Sequence, residues 1–333
     1  MQGRLTQLER GRIAGLAEDV RAIEGPGISI SPVHHRGWAH SLLLSNGMVE
    51  AIVVPAIGRV MQFRLAGERD CAFWENGALD GRSQALPSGE WANFGGDKCW
   101  PAPQSDWQQL QGRPWPPPAA FDATPMQAVA GEGSVVLTSV LDPDWGIQVV
   151  RTIALEPGQP VLRIQTEFHK LKGPAVRVAI WTIAQMPDPE CIGMLLHPGS
   201  RFAEGYTRLL ELEPAGLRLH NLPNGDRFLA LTRHSSAETK IGADGASLAW
   251  VGPTCAVRID VEATAGEYPD GGCMTEVYTN PDPLRYVELE TLGPLTEMRA
   301  GDRICHAAVY TLSPRTTADA TTEAIRLFCS GSA

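Results

Sequence analysis

The sequence predicts an all-β fold. Three observations carry that expectation. Short runs rich in β-branched and aromatic residues follow one another along most of the chain. Turn signals such as Asn46-Gly47, Glu156-Pro157-Gly158 and Pro223-Asn224-Gly225-Asp226 separate them. The 34 glycines and 26 prolines are scattered along the chain, which suits many strands joined by turns rather than a disordered tract.

Residues 4–23 read as a helix, because Leu5, Leu8, Ile13, Leu16 and Val20 recur near helical spacing with charges between them. Residues 1–27 are accordingly expected to form a short N-terminal helical extension, and residues 28–330 one β-domain. After the Asn46-Gly47 turn comes the apolar run Val49–Val54, then the alternating Val60–Leu65. Further strands are expected at Val135–Val140, Gly146–Leu155, Val161–Phe168, Val176–Ile183, Arg227–Thr232 and Ala246–Val251. Ala256–Val261, Met274–Tyr278, Tyr286–Leu289 and His306–Leu312 complete the series, and Thr321–Phe328 reads as a closing helix. No internal repeat or low-complexity linker divides the chain.

Residues 86–126 break this texture. Trp91, Trp100, Trp107 and Trp115 lie among prolines and glycines in a long segment expected to be an ordered loop. Indole faces stack on the C–H faces of sugars, and the same rings would also serve as a packed cap over a sandwich end.

A net charge of −10 without a block of Lys or Arg leaves nucleic-acid binding without its electrostatic footprint. No run of about eighteen apolar residues is present, so no membrane-spanning helix is expected. The seven cysteines, Cys71, Cys99, Cys191, Cys255, Cys273, Cys305 and Cys329, contain no CxxC pair, and several sit in apolar runs as small hydrophobes. A reducing, cytoplasmic location is the expectation, with no secretory signal at Met1–Leu5.

The most informative stretch is Tyr286-Val287-Glu288-Leu289-Glu290. In a strand, Tyr286, Glu288 and Glu290 share one face while Val287 and Leu289 point into a core. Two carboxylates side by side supply a general base, or an acid whose proton affinity its neighbour raises; a solvated polar face is the plainer alternative. Three other polar sets stand out. Asp97, Lys98 and Gln104 lie in the tryptophan-rich segment, where Lys98 and Trp100 share a face if extended. Trp181 and Gln185 end an apolar run, and Glu276, Tyr278 and Asn280 alternate shortly before the carboxylates. No GxSxG elbow, Walker A loop, GxGxxG or HExxH occurs. His34-His35 is the only close histidine pair, and adjacent residues of an extended chain point apart, so no metal site is expected.

The segment Asn46–Val60, with Pro55 and Gly58-Arg59, resembles the opening of aldose 1-epimerase (galactose mutarotase-like) proteins. Leu289-Glu290-Thr291 is similar to the strand that carries their general base. Asn93-Phe94-Gly95-Gly96-Asp97-Lys98-Cys99-Trp100-Pro101-Ala102-Pro103-Gln104, with Trp115-Pro116-Pro117, looks closer to the DUF4380 branch of that superfamily. The resemblance implies a β-supersandwich with a sugar-sized groove, a small-molecule carbohydrate partner and no cofactor. It implies Glu290 as base, with Glu288 as the competing register, and Arg59 as the opening-strand arginine beside them. The chain departs from the family where two histidines are expected. The early loop has Gly95-Gly96-Asp97-Lys98, and the middle strand ends in Gln185, which cannot protonate a ring oxygen. Lys98 or His197 would then supply the acid. The expected site is Glu290, Glu288 and Lys98 for catalysis, with Arg59, Trp100, Trp107, Trp115, Asp97, Gln104, Trp181, Gln185, Glu276 and Tyr278 for binding. An epimerase, a non-catalytic carbohydrate-binding protein and a sugar lyase are the competing functions, and fold alone does not choose among them.

Overall fold

A computed structural model describes residues 23–25, 27–69, 72–82, 91–122, 124–131 and 133–329. Residues 4–22 of the helix expected over 4–23, and Cys71, lie outside the described residues; Ile23 is in a strand instead. Strands β1 (Ile23–Gly25), β2 (Ile28–His35), β3 (Trp38–Ser45), β4 (Val49–Val54), β5 (Arg59–Leu65) and β6 (Asp97–Ala102) come first. Two short helices follow, α1 (Trp107–Gln111) and α2 (Ala119–Asp122). Next come β7 (Gln127–Gly131), β8 (Ser134–Thr138), β9 (Ile147–Leu155), β10 (Val161–Lys170), β11 (Val176–Pro187) and β12 (Cys191–Leu196). β13 (Thr207–Arg208), β14 (Ala215–Asn221), β15 (Arg227–Thr232), β16 (Thr239–Ala243), β17 (Ser247–Val251) and β18 (Cys255–Val261) continue the series. The chain closes with β19 (Thr275–Thr279), β20 (Tyr286–Leu292), β21 (Thr296–Met298), β22 (Arg303–Pro314) and helix α3 (Ala320–Cys329).

The strands form two antiparallel sheets. One has the order β1-β2-β3-β4-β5-β6-β11-β20-β19-β16-β13, with β21 beside β11. The other runs β14-β15-β12-β17-β18-β22-β10-β9-β8-β7. Their facing sides share one apolar core, to which Val287 and Leu289 contribute from the first sheet and Ile259 and Tyr310 from the second. Strand β9 shows the rule: Ile147, Val149, Arg151, Ile153 and Leu155 are buried and the residues between them are not. Helix α3 packs on the outside of the second sheet through Ala324, Leu327 and Phe328.

The expected strands are present with shifted ends. The sheet begins at Ile23, inside the stretch assigned to the extension, because Ile23–Gly25 pairs with Ile28–Ile30. Ten of the described strands are not expected from the sequence: β1, β2, β3, β6, β7, β12, β13, β14, β16 and β21.

The largest correction falls in the tryptophan-rich segment. Residues 97–102 are a strand inside the first sheet, with all six residues buried. Its β5 side is paired only at Asp97, so Pro101 falls where the strand has β11 alone as partner. The preceding glycines are required. Gly95 and Gly96 have φ of +96° and +71°, and a Cβ on them would stand 2.1 Å from the Trp74 carbonyl and 2.5 Å from the Val60 carbonyl.

Candidate functional site

Strand register assembles the site on the face of the first sheet turned away from the second. Directly paired residues share a face, and three rows cross the strands. Trp100, Trp181 and Leu292 form one row. Lys98, Ile183, Glu290, Glu276 and Gly242 form the next. Gln185, Glu288, Tyr278 and Lys240 form the third. All seven residues of β20 are buried, because the sandwich core covers one side and this site's walls cover the other.

A cavity of about 480 Å³ opens over these rows. Trp91, Trp100, Trp115 and Trp181 supply indole walls, and Tyr278 and Tyr286 supply phenols. Gln104, Glu238, Lys240, Asn280, Glu288 and Glu290 bring polar groups. The volume suits a small molecule.

Glu288 accepts hydrogen bonds at Oε1 from Lys98 Nζ at 3.0 Å and from Gln185 Nε2 at 2.9 Å. Lys98 is 1% exposed and lies behind the wall, with Nζ 4.8 Å from the Trp100 ring centroid and 5.4 Å from that of Trp91. Burial pushes its ammonium below its ordinary value, opposed by the charge of Glu288. Glu290 Oε2 accepts from Trp181 Nε1 at 2.7 Å and lies 2.9 Å from Lys240 Nζ. Lys240 Nζ also lies 2.7 Å from Glu276 Oε2 and 4.5 Å from the Trp181 ring centroid.

Two buried carboxyls therefore share one ammonium. Burial first, and then repulsion between neighbouring carboxylates, hold both Glu276 and Glu290 above the ordinary carboxylate range, Glu276 the more strongly. The opposite effect of the two carboxylates lifts the Lys240 ammonium above its usual value despite its burial. Both carboxyls therefore hold a proton more readily than an ordinary carboxyl, Glu276 the more so. Burial likewise raises Tyr278 and Tyr286, keeping both phenols protonated.

The structure brings together Glu288, Glu290, Lys98, Trp100, Trp115, Trp181, Gln104, Gln185, Glu276 and Tyr278. It separates three expected residues from the cavity. Arg59 is 1% exposed and pairs with Asp122 at 2.6 Å and the Gly95 carbonyl at 2.8 Å, not with the two glutamates. Asp122 also accepts from Trp91 Nε1 at 2.5 Å, so Arg59 supports a wall of the cavity from behind. Asp97 points the other way from Lys98, into the sandwich interior, where it meets Arg151 and accepts from the Tyr310 hydroxyl at 2.6 Å. Alternation along β6 imposes that opposition. Trp107 is fully buried beneath Trp100, donating to the Pro101 carbonyl at 2.8 Å. His197, the alternative acid, is exposed and lines a different cavity beside Arg201 and Tyr268.

Lys240 and Glu238 line the cavity, and sequence reasoning missed both. The available signal was Thr239-Lys240-Ile241, a lysine alternating with residues that are otherwise buried, but Gly242 cuts the run short. Among the described residues, no group of three or more His, Cys, Asp or Glu is arranged to hold a metal ion. No described helix is long and apolar enough to cross a membrane.

No protein-family model matches the sequence, and no curated protein matches it. Solved structures do. A TPR-domain containing protein from Parabacteroides distasonis superposes with a TM-score of 0.54 at 14% identity over 85% of this chain, which spans 48% of that protein. A galactose mutarotase-like protein from Lactobacillus casei superposes with a TM-score of 0.55 at 11% identity, over 82% of this chain and 100% of its own. A Klebsiella pneumoniae protein provisionally assigned as an aldose 1-epimerase gives 0.53 at 12% identity, over 90% and 86%. At such identities the likeness is one of architecture, and it agrees with the two stacked antiparallel sheets: the chain has the galactose mutarotase-like β-sandwich fold.

Proposed function

We propose that the cavity binds a sugar and that the protein is a carbohydrate isomerase of the aldose 1-epimerase type. One observation carries the reading. Two carboxyls stand side by side on β20 in a cavity walled by indoles, each against an ammonium, Glu288 with Lys98 and Glu290 with Lys240, while burial and neighbouring carboxyls raise the proton affinity of Glu290. Environments that separate two neighbouring carboxyls in this way assign them to base and acid.

In this mechanism Glu288 takes the proton of the anomeric hydroxyl. The C1–ring-oxygen bond breaks as the carbonyl forms at C1. The ring oxygen takes the proton held by Glu290 and resupplied by Glu276. Rotation about C1–C2 and the reverse transfers then close the opposite anomer. The resemblance implies Glu290 as base; the raised proton affinity of Glu290, with Glu276 one strand away in the same row, favours this division of labour. Lys98 acts through Glu288 and does not line the cavity.

Anomeric exchange followed by NMR tests the proposal. Glu288→Gln and Glu290→Gln should each slow exchange by about 100-fold or more, with cooperative folding retained although the lost ion pair lowers the melting temperature. A second reading, a carbohydrate-binding protein without catalysis, is favoured by one feature: no histidine lines the cavity and its lysine is already engaged by carboxylates. A sugar that binds the protein while its anomers exchange no faster than in buffer would establish binding alone.

A further inference from the structure

The charge of the cavity bears on which sugar it takes. Among its lining residues three carboxylates, Glu238, Glu288 and Glu290, face a single ammonium, Lys240. Behind the wall stand Glu276 and Lys98, the first on Lys240 and the second on Glu288. Four carboxyls are therefore set against two ammoniums, and both ammoniums are already in contact with a carboxylate. Even with one proton shared by Glu276 and Glu290, the region keeps a surplus negative charge. The neighbouring Arg59 adds nothing to offset it, since Asp122 pairs it at 2.6 Å.

The aromatic walls point the same way. Trp91, Trp100 and Trp115 meet pairwise at 71°, 76° and 82°, with ring centroids 5.2 to 5.8 Å apart. These edge-to-face contacts fix the three rings as rigid walls, and an indole face attracts a cation. The fold itself seats ammonium groups on these walls: Lys98 lies over Trp100 and Trp91, and Lys240 over Trp181. Phosphate or carboxylate groups on a ligand would meet like charge and find no unengaged cation among the lining residues.

We infer that the ligand of this cavity is a cationic sugar, an amino sugar whose ammonium is held between the tryptophan corner and the surplus carboxylates, and that sugar phosphates and uronic acids are rejected. This rests on the sugar reading of the site, and the two can fail separately.

Titration calorimetry of the intact protein with D-glucosamine, D-galactosamine, the parent hexoses, N-acetylglucosamine, glucuronate, glucose 6-phosphate and tetramethylammonium separates them. At least one free amino sugar is expected to bind about tenfold more tightly than its parent hexose, its N-acetyl form no better than the hexose, and the two anions more weakly still. Glu238→Gln, at an exposed position of the rim, should reduce the preference by about threefold without changing the melting temperature. Hexoses that bind as well as the amino sugars, or anions that bind better, overturn the charge inference and leave the sugar reading standing. Binding of tetramethylammonium without any sugar overturns the sugar reading and supports the cation preference. If nothing in the set binds, both are wrong.

Discussion

Replacing Lys240 with Met tests the electrostatic core of the site. Lys240 Nζ stands 2.7 Å from Glu276 and 2.9 Å from Glu290, and its side chain is 17% exposed against 0% and 1% for the two partners. Methionine keeps the apolar stem but removes the ammonium that the two carboxyls share. Removing one partner of a buried ion pair costs about 3–5 kcal/mol, because the charge left behind is unpaired and dehydrated. At an unfolding entropy of about 2.1 cal/mol/K per residue, that loss lowers the melting temperature of a 333-residue chain by roughly 4 to 7 °C. The carboxyls can relieve the cost by taking protons, so the deficit depends on pH. Both glutamates are raised in the folded protein, and without Lys240 they are raised further. Between the unfolded value of about 4.3 and the raised folded value, the native state binds more protons than the unfolded one, so stability falls as pH rises. Lys240→Met should therefore melt close to the parent near pH 5 and well below it at pH 8. Adding Glu276→Gln to Lys240→Met should restore part of the loss at pH 8, because it removes one orphaned charge. Calorimetric melting of the parent, the single and the double variants from pH 5 to 8 reads all three effects. A deficit that grows on acidification, or a single variant within a degree of the parent at pH 8, would refute the account.

Other expectations concern separate parts of the same structure. Trp181→Phe removes the donor to Glu290 at 2.7 Å and should cost about 1.5–3 kcal/mol in urea unfolding; a loss below about 0.5 kcal/mol would show that the bond contributes nothing net. Burial pushes the His306 imidazole down to about 4, where it meets the Thr291 hydroxyl at 2.8 Å. The unfolded state, titrating near ~6.5, then binds more protons between pH 4 and 6.5, so acidification to pH 4 should remove roughly 3 kcal/mol of stability, and His306→Asn should flatten that part of the urea profile. Against burial, which raises it, hydrogen bonds from Arg326, Thr316 and Thr317 hold Glu323 down to about 2. That contribution is complete above the unfolded value of about 4.3 and is lost as pH falls through the folded one. Glu323→Gln should accordingly speed hydrogen exchange in α3 at pH 7, and the difference from the parent should close toward pH 2.

The sequence by itself determined the all-β class, most of the long strands and the shared face of Tyr286, Glu288 and Glu290. Those features follow from alternation and turn chemistry, which act over a few residues and are visible in one segment at a time. Val287 and Leu289 in the core, with the carboxylates behind them on the outer face, need only the two-residue period of a strand. Tertiary structure decided what the carboxylates touch. Asp97–Ala102 becomes a buried strand because β11 pairs it and two glycines bend its entry against backbone carbonyls, although Pro101 and Lys98 disguise it as loop. Asp97 and Lys98, adjacent in sequence, then serve opposite faces of the sheet, one in the sandwich interior and one at the site. Lys240 reaches Glu290 because β16, β19 and β20 are neighbours in one register, a pairing between residues 50 apart that no local pattern encodes. Trp107 and Trp115 look alike in sequence, yet one is sealed under Trp100 and the other is 40% exposed at the cavity, since packing around the segment, not its composition, selects which ring faces out.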